Sequence, residues 1–122
     1  MKPNLPPELR QMLPLTPAVF FVLFSLANGE KHGYAIMQDT IAFSDGEFRM
    51  GPGTLYTTLQ RLSDLGLIEE IEMAGKASER YSRRRYYRLS RAGKLLLEAD
   101  LERMNSVVQL ARRKKLVART AE

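Results

Sequence analysis

The sequence predicts a mainly α fold carrying a small β-hairpin (α+β), and three observations in its 122 residues predict it. Leu55, Leu59 and Leu62 recur at i, i+4 and i+7 between Gly51-Pro52-Gly53 and Gly66, the spacing of a helix with one buried stripe. Ile68 to Met73 and Arg84 to Leu89 read as two strands around a loop-like, charged tip that includes Ala74-Gly75-Lys76-Ala77-Ser78. Leu97, Leu101, Met104, Val108 and Ala111 follow a 4, 3, 4, 3 rhythm, the seam of a helix that packs on another helix.

The elements follow in order. Residues 1–15 form an N-terminal arm interrupted by Pro3, Pro6, Pro7 and Pro14, outside the core. Leu5, Leu9, Met12 and Leu13 still space like one apolar helical face, suited to docking a short turn on a partner. The first firm helix starts at Thr16, whose oxygen caps it, with Pro17 at the first helical position, where its missing N–H costs nothing. Leu15 and Phe20 flank that cap with hydrophobic-staple spacing, and Asn28-Gly29 stops the helix. A second helix runs from Gly33-Tyr34 to about Ala42 with Ala35, Ile36 and Ile41 inside. Ser44-Asp45-Gly46 is a turn, and Glu47 to Met50 a short extended piece. The third helix covers Thr54 to Leu65 and ends at Gly66 as a left-handed cap. In the return strand the period-two rule sends Tyr87 inward with Leu89 and Tyr86 outward with Arg84 and Arg88. Ser90 caps a last helix that continues to about Val117, some 27 residues or roughly 40 Å. Residues 16–89 are thus one domain, 90–118 a terminal helix and 119–122 a tail.

Composition excludes several classes of function. The absence of cysteine rules out disulfides, thiolate metal sites and cysteine nucleophiles. The one histidine, His32, leaves no imidazole cage for a metal and reads as a cap before the second helix. Glu98 and Glu102 lie beside Lys94 and Arg103 on a solvated helix face, and Glu69, Glu70 and Glu72 lie in an exposed-looking strand. No constellation supports an enzyme, and no cofactor is expected. The most apolar stretch, Ala18 to Ala27, is about half the ~20 residues a spanning helix needs. The N-terminus lacks the apolar core of a signal peptide, so a cytoplasmic location and no membrane partner are expected.

Charge is concentrated. Between Ala74 and Arg91 seven basic residues (Lys76, Arg80, Arg83, Arg84, Arg85, Arg88 and Arg91) face the single acid Glu79, a net +6 in a chain whose total is +5. Such a patch neutralises phosphates and releases their counterions, and arginine adds bidentate geometry. Three helices followed by a hairpin is the order of a winged helix-turn-helix, in which the third helix enters the major groove and the hairpin reaches flanking backbone. Opposite the leucine stripe, Thr57, Thr58, Gln60 and Arg61 are suited to reading base edges, and Tyr56 to donating to phosphate. Gly51 and Gly53 let the start of that helix, with Thr54, approach the backbone closely, where its amides favour anions. The terminal helix reads as a dimerisation helix through Leu97, Leu101, Met104, Val108 and Ala111.

His32-Gly33-Tyr34, Gly53-Thr54-Leu55-Tyr56, Leu59-x-Arg61-Leu62, Gly66-Leu67-Ile68 and Arg84-Arg85-Tyr86-Tyr87-Arg88-Leu89-Ser90-x-x-Gly93 together resemble the PadR family of bacterial transcriptional regulators, across roughly Thr16 to Val117. The resemblance implies a winged-helix homodimer, usually a repressor, that binds a palindromic operator on double-stranded DNA and pairs through its C-terminal helix. It adds Tyr34 to the DNA-binding set, beside Lys76, Arg80, Arg83, Arg84 and Arg85 as holders of flanking phosphates. Thr57 stands where many members carry proline, and the C-terminal part is one helix rather than a larger helical domain. Members that bind aromatic compounds do so near the dimer interface; here a small-molecule effector is left unnamed. The alternative from another class is a winged-helix module that binds protein without reading DNA.

Overall fold

The structure, a computed structural model, describes residues 5–72 and 85–117. Pro7 opens a single turn, α1 (Pro7–Arg10). Thr16 then caps α2 (Pro17–Leu26): its hydroxyl accepts from the Val19 amide at 3.3 Å. Val19, Val22, Leu23 and Leu26 are the buried face of α2. The chain continues through β1 (Lys31–His32) into α3 (Gly33–Phe43), where His32 Nδ1 accepts from the Ala35 amide at 3.2 Å, the capping role expected of it. Asp45 and Gly46 take positive φ in the turn that follows.

Helix α4 (Pro52–Asp64) buries Leu55, Leu59 and Leu62, each no more than 1% exposed, and ends at Gly66 with φ 74°. Strand β2 (Ile68–Glu72) and strand β3 (Arg85–Leu89) pair antiparallel, Ile68 opposite Leu89 and Glu72 opposite Arg85. β1 joins the other edge of β3, Lys31 opposite Tyr87 and His32 opposite Tyr86, so the sheet order is β1-β3-β2. Ser90 caps α5 (Arg91–Arg113) by accepting from the Gly93 amide at 3.0 Å. The architecture is a winged helix: mostly helical, with a small three-stranded antiparallel sheet.

The core is where these elements meet. Leu23, Ile36, Leu55, Leu59, Leu62, Leu67 and Leu96 are fully buried at the junction of α2, α3, α4 and α5. A polar staple fixes α3 to α2. The Ser25 hydroxyl, wholly buried, donates to Asp39 Oδ2 at 2.7 Å, and Lys31 of β1 pairs with the same oxygen. All five phenylalanines gather on one side of α2 and α3, with Phe20 stacked on Phe24 at 5.4 Å and Phe21 stacked on Phe48 at 6.0 Å.

Three expectations are corrected. The N-terminal segment belongs to the core of its own chain: Leu5 is buried, and Leu9, Met12 and Leu13 pack against the same cluster. The inner face of α3 is Gly33, Ile36 and Thr40, while Ala35 and Ile41 are half-buried. Thr40 goes inside because its hydroxyl donates to the Ile36 carbonyl at 2.9 Å. The piece expected to be extended at Glu47–Met50 joins no sheet, and Phe48 there accepts and donates hydrogen bonds with Ser44. Finally, α5 ends at Arg113 rather than near Val117, where Lys115 adopts φ 60° and basic residues face the helix's negative end.

Candidate nucleic-acid interface

The three buried leucines fix the rotation of α4, and so decide what it shows to solvent. With Leu55, Leu59 and Leu62 inside, Gly53, Thr54, Tyr56, Thr57, Gln60 and Arg61 are all exposed on the opposite side. No side chain caps the amides of its first turn, since Gly51 is the N-cap. This end carries the positive pole of the helix dipole. Thr58 stands apart from the others. It is half-buried, and its hydroxyl donates to the Thr54 carbonyl at 2.8 Å. Gln60 Nε2 donates to Asp64 Oδ1 at 2.9 Å, a bond on the surface that a ligand can open. Arg61 lines a cleft with Glu8 and Gln11, so the N-terminal segment borders this face.

Tyr34, at the start of α3, is 60% exposed, and Tyr56, in the first turns of α4, is 50% exposed. The two helices converge there, and the ring of Tyr56 lies over Gly33. Tyr86 is half-buried rather than exposed, because His32 packs edge-on against it at 5.5 Å. Tyr87 is in the core as expected. Its phenol is held above the ordinary value of 10.0, first by burial and then by the Glu70 carboxylate beside it.

At the base of the hairpin the charges are partly matched. Arg88 Nε donates to Glu69 at 2.8 Å, which pushes its guanidinium further up, and Arg85 lies 3.8 Å from Glu70. Both pairs are on the surface, where such bridges contribute little and salt screens them. Arg85 keeps most of its side chain in solvent. Lys76, Arg80, Arg83 and Arg84 lie outside the described residues.

The expected dimerisation set divides in two. Leu97 is 3% exposed and belongs to this chain's own core. Leu101, 37% exposed, and Val108, 38% exposed, remain on the outer side of α5, with Met104 and Ala111 half-buried between and beyond them. Val107, also exposed, widens this apolar surface. A groove of about 740 Å³ between the ends of α2 and β3 and the first half of α5 is lined by Leu26, Leu89, Leu97 and Leu101 together with Arg88 and Glu98. No helix among the described residues is long and apolar enough to cross a membrane, and none of their His, Asp and Glu side chains cluster in a group that could hold a metal.

The Transcriptional regulator PadR-like family matches residues 22–99, from the middle of α2 to the first half of α5. The chain belongs to the PadR-like family. It is 37% identical over 81 residues to Transcriptional regulator Rv3488 of Mycobacterium tuberculosis, a match covering 65% of this chain and 67% of that one. It is 39% identical over 87 residues to an uncharacterized 37.1 kDa protein in transposon TN4556 of Streptomyces fradiae. That match covers 71% of this chain but spans only 23% of the transposon protein. In fold it resembles Bacillus subtilis PadR, solved in complex with operator DNA, with a TM-score of 0.61, 20% identity, and coverage of 81% of this chain and 60% of that one. The PadR-like match takes in both Tyr34 and the whole of α4, and it ends before the exposed stretch of α5 that begins at Leu101.

Sequence reasoning did not single out three contributors to this surface. The pairing of β1 with β3, the seat of Tyr56 on Gly33 and the cleft between Arg61 and the N-terminal segment all arise from contacts between elements. None has a signal in local spacing.

Proposed function

We propose that this PadR-like regulator binds duplex DNA sequence-specifically as a homodimer on a palindromic operator, and acts as a repressor by obstructing polymerase. The observation that carries the reading is the solvent face of α4. Thr57, Gln60 and Arg61 stand free of the core on a helix locked in rotation by three buried leucines. A rigid helix with donors and acceptors on its open side is what major-groove reading requires. Tyr34, Tyr56 and the uncapped first turn of α4 take phosphates beside the groove, and Arg85 with Lys76, Arg80, Arg83 and Arg84 holds the flanking backbone. Operator binding by Bacillus subtilis PadR, which shares the fold, supports the assignment. The apolar surface from Leu101 to Ala111 pairs two copies and sets their α4 helices about 34 Å apart, one turn of B-DNA. A small-molecule effector has no assigned site.

Salt dependence tests the reading. Log affinity for DNA is expected to fall with log salt with a slope of magnitude about 5 or more, since a dimer that neutralises many phosphates releases their counterions. Arg61→Ala is expected to weaken operator binding by about 1–3 kcal/mol, the worth of a bidentate base contact. Fluorescence anisotropy on a selected operator and on random duplex separates the cases. Loss confined to the operator assigns Arg61 to base reading, and wild-type affinity removes it from the site. Equal wild-type affinity for operator and random DNA at physiological salt would favour the protein-binding module instead.

A further inference from the structure

Gly33 opens α3 and is itself buried, although it is followed by the exposed Tyr34. Its φ is not in the left-handed region, so backbone conformation does not call for glycine here. Space does. A Cβ at this position would lie 2.7 Å from the Tyr56 hydroxyl oxygen, 3.1 Å from Cζ and 3.2 Å from Cε1. The tip of the phenol therefore rests on the bare backbone of Gly33. Tyr56 stays 50% exposed. The seat is rigid: His32 caps α3 through the Ala35 amide, its ring packs on Tyr86, and its backbone is paired to β3.

We propose that Gly33 is a positioning residue for DNA binding: its missing side chain is the seat that aims the Tyr56 phenol at the phosphate backbone. This rests on the DNA-binding reading above and adds to it the element that fixes one of its contacts. A hydroxyl on a side chain with two free torsions donates well to a phosphate only if its direction is set beforehand, since fixing it on binding costs side-chain entropy. The Gly33 seat sets that direction in the free protein, and through it α3 and the sheet base take part in placing a group carried by α4. A methyl at residue 33 meets the far end of a side chain that can swing into solvent. The expected consequence is a displaced phenol on an intact fold.

The test is a double-mutant cycle on a fluorescein-labelled duplex of random sequence at low salt, because a phosphate contact is independent of sequence. Gly33→Ala is expected to lower affinity about tenfold, the scale of a hydrogen bond to a charged group. Tyr56→Ala is expected to lose at least as much, and Gly33→Ala added to Tyr56→Ala to lose nothing more. Melting temperatures of the variants are expected to stay close to wild type. An equal loss from Gly33→Ala in both backgrounds, in affinity or in melting temperature, overturns the proposal, because the methyl would then act on something other than Tyr56. Wild-type binding by Gly33→Ala overturns it as well, while failure of the wild-type protein to bind duplex DNA at all sinks the underlying reading instead. In the unmodified protein, NMR contacts between the Gly33 α-protons and the Tyr56 ring are expected, and their absence contradicts the seat directly.

Discussion

Leu101→Glu is expected to give a folded protein that sediments as a monomer and binds its operator on the order of 10²–10⁴-fold more weakly than wild type, the factor a second tethered half-site contributes. Leu101 is the first residue of α5 whose apolar surface is left open: Leu96 and Leu97 just before it are buried, whereas Leu101 is 37% exposed. A carboxylate there stays solvated in a single chain, so the fold has no reason to fail. Between two copies it would be stripped of water on an apolar seam, which is strongly unfavourable for an unpaired charge. Sedimentation velocity and anisotropy on the same sample read both effects. A dimer that survives with full operator affinity places the self-association elsewhere.

The second large effect concerns how α5 is held. Gly93→Ala is expected to destabilise the fold by about 2 kcal/mol, from overpacking of about 3 kcal/mol offset by about 1 kcal/mol of helix propensity. At that size the melting temperature falls by roughly 10 °C. A Cβ on Gly93 would lie 2.0 Å from the Leu67 carbonyl oxygen and 2.9 Å from Leu89 Cδ1. That carbonyl also accepts from the Ser90 amide at 3.0 Å, so it cannot move without breaking the bond that leads the chain into the helix. Differential scanning calorimetry checks the value. An unchanged melting temperature would mean that α5 does not pack on Leu67.

What the sequence makes legible here is what local chemistry decides. Thr16, His32, Ser90 and Gly66 sit at helix ends because their side chains or backbone freedom satisfy the groups exposed there, and each is found in that role. Leu55, Leu59 and Leu62 announce both the third helix and its orientation, and with them which face of it is open to solvent. The departures have a different cause. β1 is two residues long and exists only because the free edge of β3 accepts it, which no period within Lys31–His32 could reveal. The prolines of the first residues suggested an arm, but Leu5 finds a place in its own chain's core, and burial outweighs the irregular backbone. Thr58 has the right chemistry to read a base, and residue type alone does not announce that its hydroxyl donates to the carbonyl four residues back. Leu97 fits the heptad rhythm equally well for a seam or a core, and only packing against α2 separates the two.

The most direct test of the central claim, that paired α4 helices read a symmetric DNA site, is selection of bound duplexes from a random pool by the full-length protein, followed by sequencing. The account predicts an enriched inverted repeat whose half-site centres lie about 10 base pairs apart, with base preference lost at the positions facing Arg61 when Arg61→Ala is used. A pool that comes through the rounds with no enriched motif, or with a single asymmetric half-site, would contradict it.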